Sequence, residues 1–171
     1  MKDFISLAAE RYSCRKFSDR AVEDEKIQKI LEAGRLAPTA KNGQPQFIYV
    51  VKSKEMREKM KDVSPCTFDA PVIFVMCGEV QECWHDPYTG RPRSEMDVSI
   101  ITTHMTLEAE DLGLGSTWVC MINPHKLHTL LDMPANLYPY CILPVGYPAD
   151  DAAPSDRHTM RKDISEFTKE V

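Results

Sequence analysis

The stretch that most constrains the fold is 95–112. Its Val98, Ile101, Thr102, Met105, Ala109 and Leu112 recur at helical spacing and predict the longest helix of the chain. The stripe they form is broad enough for the central helix of a core. Gly113 and Gly115 end it. A strand is expected over 116–121, within a few residues. A long core helix handing over directly to a strand points to helices covering a sheet.

The rest of the chain fills in an α+β pattern. A short helix is expected over 3–10 and a second over 23–36, where Ile27, Ile30, Leu31 and Gly34 line one face. Glu23, Asp24 and Glu25 crowd the first turn of the second helix, as the helix dipole favours. Pro38 stops it. Two prolines and a glycine exclude a regular element over 37–46. A buried strand over 47–51, a helix over 54–63 and a strand over 72–77 follow. The segment 78–93 is irregular and polar, long enough for a lid or an interface loop. Asn123 and Pro124 open a further helix, with Leu127, Leu130 and Leu131 on its apolar face. The last clear strand is 138–145. An extended polar stretch, 150–161, and a short amphipathic tail, 164–171, close the chain. The expectation is one domain over 1–171, with a mixed or antiparallel sheet of about four to five strands flanked by helices.

Composition narrows the function. At 171 residues the chain needs no disulfide or metal to hold a core. A net charge of −5 argues against a general nucleic-acid binder. The first residues lack the apolar run of a signal peptide, and no stretch approaches a membrane span. A cytoplasmic protein is expected. Cys14, Cys66, Cys77, Cys83, Cys120 and Cys141 form no C-x-x-C pair, and several sit in strand-like runs, as buried free thiols do. Cys83 and His85 are close, but no second pair at zinc spacing follows, so no metal site is expected. His125 and His128 read as surface histidines.

The chemistry-bearing stretch is 11–17, Arg-Tyr-Ser-Cys-Arg-Lys-Phe. In an extended segment Arg11, Ser13 and Arg15 point to one side. Two guanidinium forks and a hydroxyl then converge, as the oxygens of a phosphate require. A solvated basic turn is the plain alternative. Further on, 37–45 reads Ala-Pro-Thr-Ala-x-Asn-x-Gln-Pro, and 113–118 reads Gly-Leu-Gly-Ser-Thr-Trp. A Gly-Tyr-Pro turn follows at 146–148, and then the basic pair Arg161 and Lys162. In this order the chain resembles the nitroreductase family of FMN-dependent oxidoreductases over almost its whole length.

The resemblance implies roles. Arg11, Tyr12, Ser13 and Arg15 would hold the phosphate end of FMN. Pro38, Thr39, Ala40 and Asn42, with Gln44 beside them, would lie against the flavin ring and ribityl chain. Trp118, Val119 and Cys120 would bring a strand backbone to the N5 edge. Arg161, or Lys162 in its place, would close on the phosphate. The implied activity is hydride transfer from NAD(P)H through FMN to a nitroaromatic, quinone or similar acceptor, by a ping-pong mechanism. No protein nucleophile is needed, because the flavin carries the hydride. Family members are homodimers with FMN at the interface, so 38–42 would face a flavin held mainly by the other subunit. Cys14 either packs away from the clamp or turns inward as a reactive thiol; Cys120 reads as a buried structural thiol. Other readings are a specialised family member with another substrate, a flavin-binding or redox-sensing module with little turnover, and a flavin-free phosphate binder.

Overall fold

The computed structural model describes residues 3–171. Helix α1 spans Phe4–Glu10 and is capped by Asp3, whose carboxylate accepts the Ser6 N–H at 3.1 Å. Helix α2 spans Asp24–Leu36, with acids in its first turn and Arg35 in its last. Ala37 is already extended, as the residue before a proline must be. Strand β1 is Gln46–Val51, helix α3 is Lys54–Met60 and strand β2 is Val72–Glu79. The long helix α4 is Ser94–Asp111, strand β3 is Gly115–Ser116, helix α5 is Pro124–Leu131 and strand β4 is Leu137–Gly146.

The four strands pair antiparallel in the order β1-β2-β4-β3. Strand β2 lies in the middle and is buried from Val72 to Gly78. Alternation along it divides the core in two. Val72, Phe74 and Met76 pack towards α2 and α4 with Ile30, Ile101, Met105 and Leu143. Ile73, Val75 and Cys77 pack on the opposite face with Met60, Leu127 and Ile142. Helix α4 buries Val98, Ile101, Thr102, Met105 and Ala109 as expected, and Leu112 partly. It also buries Ser94, Asp97 and Thr106. Gly34 of α2 lets the two helices approach: a Cβ there would lie 3.0 Å from Met105 Cγ.

Several expectations change. Strand β1 is a sheet edge in which only Val51 is fully buried, because β2 covers one side of it and no strand the other. The 116–121 strand shrinks to Gly115–Ser116 with a single further bridge, Val119 to Ile142. Helix α3 stops at Met60, since 61–63 turn the chain. Gln46 and Glu79 extend β1 and β2 beyond the apolar runs. The stretch 150–161 contains a short 3₁₀ turn, Asp156–Thr159. His128 is half-buried and its Nε2 lies 2.8 Å from the Leu137 carbonyl, tying α5 to β4. The tail stays exposed, with a capped 3₁₀ turn at Ile164–Glu166. Among the described residues no helix is long and apolar enough to cross a membrane.

The Gly-Tyr-Pro turn is held by charge. The Tyr147 hydroxyl donates to Glu23 at 2.8 Å and the Arg20 guanidinium sits 3.8 Å above the Tyr147 ring. The Tyr147 hydrogen bond, with help from Arg20, pulls the Glu23 carboxyl from its usual 4.5 down to about 2. A depressed carboxylate stabilises the fold above its unfolded value and loses that contribution as pH falls from 4.5 towards 2. Tyr147→Phe is expected to move Glu23 back towards 4.5, read by an NMR titration of its side chain. An unchanged Glu23 titration would refute the link.

Candidate functional site

The clamp is an extended segment laid against the sheet. Ser13 bridges Ser116 of β3 in parallel, and the Cys14 N–H donates to the Ser116 carbonyl at 3.0 Å. The Thr117 hydroxyl donates to the Cys14 carbonyl. Alternation then acts as the sequence predicts. Cys14 points inward and is fully buried, its Sγ donating to the Lys16 carbonyl at 3.2 Å. This thiol packs against Gly115, away from the arginines, which decides between the two readings of Cys14.

Arg11, Tyr12, Ser13 and Arg15 line one cavity of about 230 Å³. Its remaining wall comes from the far end of the sequence: Ser155, Arg157, His158 and Arg161. Four guanidiniums therefore converge on one small opening whose lining contains no carboxylate. Arg161 Nη1 donates to its own Met160 carbonyl at 2.9 Å and Arg15 Nη1 to the Ser13 carbonyl at 3.1 Å, which turns both side chains over neighbouring backbone. Lys162 is exposed and does not line the cavity, whereas Arg161 does. Arg157 and His158 are additions from the fold. Their one signal in the sequence is that Arg157 stands four residues before Arg161. His158 meets Tyr12 edge-on, with ring centroids 6.3 Å apart. Burial pushes the Tyr12 phenol well above its ordinary 10, so it stays a neutral donor.

The 38–44 loop is a second, separate element. Thr39 is extended, and a 3₁₀ turn at Ala40–Asn42 follows. Lys41, Asn42 and Gln44 all have positive φ, 52°, 55° and 48°. Left-handed backbone costs roughly 1–2 kcal/mol for a residue with a side chain, and least for Asn. The loop is braced against that cost. The Thr39 hydroxyl accepts the Gln44 N–H at 3.1 Å, and the Asn42 N–H donates to the Thr39 carbonyl at 3.0 Å. The Ala40 N–H donates to Asp97 of α4 at 2.9 Å. Pro38 and Asn42 are exposed, and Thr39 and Ala40 half-buried. None of these four lines the clamp cavity; Gln44 lines a different one, of about 400 Å³, with Gln46, Phe47 and Glu79.

The segment after β3 places Trp118 partly in the core, Val119 buried and Cys120 exposed. Val119 uses both its N–H and its carbonyl on Ile142, at 3.0 and 2.9 Å. Neighbouring residues of such a pair turn their backbone the other way, so Trp118 and Cys120 face away from β4. Exposure of Cys120 corrects the expectation of a buried thiol there: the strand ends too early to cover it. Cys77 and Cys141 are the inert thiols, pushed up to about 12 by burial. Cys83 donates to the Val80 carbonyl, and His85 Nδ1 lies 2.8 Å from the Cys83 carbonyl, both within the 80–93 loop. That loop is fastened by the Arg93–Asp86 pair at 2.5 Å and by the His85–Pro92 bridge. A further opening of about 680 Å³, between α3 and α5 beside Lys59 and His125, contains none of these residues.

Clamp and loop lie at opposite ends of α4. The loop touches Asp97 in the first turn of α4, and the clamp pairs with Ser116 just beyond its last. Fifteen residues of helix separate Asp97 from Leu112, a rise of about 22 Å at 1.5 Å per residue. One chain therefore presents an arginine-lined cavity and a strained polar loop that do not meet.

Comparison with known proteins places this arrangement. A sequence model described as Nitroreductase family matches residues 8–68 and 64–147. A nitroreductase family protein from Clostridium difficile 630 has a solved structure that superposes with a TM-score of 0.92, at 39% identity over 98% of each chain. The FMN reductase [NAD(P)H] of Bacillus subtilis is 30% identical over 92% of this chain and 70% of its own length. A nitroreductase from Desulfovibrio desulfuricans, solved in complex with FMN, shares the fold at a TM-score of 0.82 and 24% identity, over 100% of this chain and 98% of that one. The match runs through the clamp, the 38–44 loop and the sheet alike, and the chain belongs to the nitroreductase family.

Proposed function

We propose that this chain is an NAD(P)H-dependent oxidoreductase that binds FMN, with the FMN phosphate in the cavity of Arg11, Ser13, Arg15, Arg157 and Arg161. The observation that carries the reading is that cavity: cations from both ends of the sequence around one small opening without a carboxylate. A phosphate monoester carries about −1.5 to −2 near neutral pH and fits such a donor set. Bound FMN supplies the hydride exchange, taking reducing equivalents from the nicotinamide and giving them to a nitroaromatic, quinone or similar acceptor in turn.

The chain's own residues supply binding and orientation. Arg11 and Arg15 offer forked donors and Ser13 a hydroxyl, while Arg161 closes from the C-terminal side. Asn42, exposed on its strained loop, offers both a donor and an acceptor to a ring edge. Trp118 and Cys120 turn backbone towards the side away from β4. A five-carbon ribityl chain does not span the length of α4, so the clamp of one copy and the 38–44 loop of a second copy complete each site. This geometry supports a homodimer with FMN at the interface. The exposed Phe4, Ile5, Leu36, Ile164 and Phe167 give the monomer apolar surface for such an interface.

The deciding experiment is the absorption spectrum of the protein incubated with FMN, followed by steady-state oxidation of NADH and NADPH with quinone and nitroaromatic acceptors. A yellow protein with turnover is the expected result. A protein that stays colourless, or one that binds FMN yet oxidises neither nicotinamide, would overturn it. Asn42→Ala is expected to shift the flavin absorption bands and midpoint potential while leaving the phosphate contacts in place. A spectrum and potential identical to wild type would remove Asn42 from the ring.

A further inference from the structure

Asp97 stands out among the buried groups to which the sequence assigns no role. It is 3% exposed in the first turn of α4. Its Oδ1 accepts the Ala40 N–H at 2.9 Å, and its Oδ2 is buried with no hydrogen-bond partner among the described residues. A position buried against the core is an unfavourable place for a carboxylate oxygen without a partner, because its desolvation is not repaid there. What the carboxylate holds explains its presence. The loop beyond Ala40 carries three non-glycine residues at positive φ within four positions, Lys41, Asn42 and Gln44. Strain of that kind persists only where the surroundings over-determine it. The other braces of the loop, from Thr39 to Asn42 and to Gln44, are internal to it. The Asp97–Ala40 bond ties the loop to a rigid element, the longest helix of the fold.

We propose that Asp97 is a positioning residue: through the Ala40 N–H it anchors the 39–44 loop to α4 and so sets where Asn42 meets the flavin ring. This rests on the functional reading given above for the loop's part in flavin binding; the anchor itself does not.

The anchor can be cut from either side. Asp97→Leu removes the acceptor and keeps the same branched heavy-atom skeleton. Ala40→Pro removes the donor and leaves Asp97 in place. Proline suits that position, because Ala40 opens the 3₁₀ turn and Thr39 before it is already extended at φ −131° and ψ 157°. Asp97→Asn keeps a carbonyl oxygen for the Ala40 N–H and serves as the conservative rescue.

Two measurements read the result. In the flavin-free protein, hydrogen exchange at the Ala40 amide is expected to be at least tenfold faster in Asp97→Leu than in wild type, and near wild type in Asp97→Asn. In the loaded protein, Asp97→Leu and Ala40→Pro are each expected to weaken FMN and riboflavin by the same factor, about tenfold, with a shifted flavin spectrum. Equal loss for the two ligands marks a ring effect, since riboflavin has no phosphate. The double variant is expected to be no worse than either single one, because both remove one bond. Wild-type exchange at Ala40 in Asp97→Leu overturns the anchor. Wild-type flavin affinity and spectrum in Ala40→Pro overturn its role in the site, and do so even if Asp97→Leu fails to fold. Additive losses in the double variant also count against it. A protein that takes up no flavin at all defeats the functional reading instead, and the exchange rates still decide the anchor.

Discussion

Arg15→Ala is expected to weaken FMN binding roughly 10- to 150-fold while leaving riboflavin binding unchanged. The range follows from one charge-assisted hydrogen bond, worth about 1.5–3 kcal/mol net. Arg15 is exposed on its cavity wall, so the lower part of the range applies. Arg161→Ala acts from the opposite wall and should show the same pattern. Their double variant tests whether the two arginines share one phosphate. If they do, the losses are non-additive, because the remaining guanidiniums reorient around the same oxygens. Salt gives an independent reading: FMN affinity of the wild type should fall with ionic strength, and less steeply in each variant. Fluorescence titration measures all of this. Equal losses of FMN and riboflavin in Arg15→Ala would place the arginine at the ring rather than at the phosphate.

The second large effect is steric. Gly115→Ala would put a Cβ 2.6 Å from Cys14 Cβ and 2.8 Å from Cys14 Sγ, with Pro148 Cγ at 3.4 Å. The first of these contacts is with an atom fixed to the backbone of the clamp, which cannot rotate away. The substitution therefore has to push the clamp off β3 and break the Cys14–Ser116 and Cys14–Thr117 bonds. Overpacking of this kind costs about 1–3 kcal/mol. At this chain length that is a fall in Tm of roughly 2–4 °C per kcal/mol, measurable by calorimetry. FMN affinity should fall with it, since Ser13 and Arg15 flank Cys14. Cys14→Gly should restore much of both, whereas Cys14→Ala should not, because its Cβ remains. A Gly115→Ala protein with wild-type Tm and FMN affinity would show that the clamp is not pinned here.

Much of this was legible in advance because it is local. The helices α2, α4 and α5 announce themselves through apolar spacing, acidic first turns and the Asn123–Pro124 start; α2 and α4 end within about two residues of their expected bounds, and α5 starts at Pro124 as expected. Alternation in 11–15 places the arginines on one side and Cys14 on the other, whatever the clamp packs against. The strands were less legible at their edges. Apolar content at 47–51 reads as burial, but whether a strand is central or at an edge depends on which partners the topology supplies. The same limit hid the exposure of Cys120: pairing with β4 stops at Ser116 and resumes only at Val119.

The sequence by itself therefore determined the elements, the family and the chemical character of the clamp, since these follow from spacing and residue type over short stretches. The tertiary structure alone decided which distant groups meet. It brought Arg157, His158 and Arg161 to a cavity opened by Arg11 some 150 residues earlier. It set Asp97 under Ala40 across 57 residues of chain. And it placed the clamp and the 38–44 loop at opposite ends of α4, a separation no local pattern encodes, because only the packing of the helix against the sheet determines where each of its ends points.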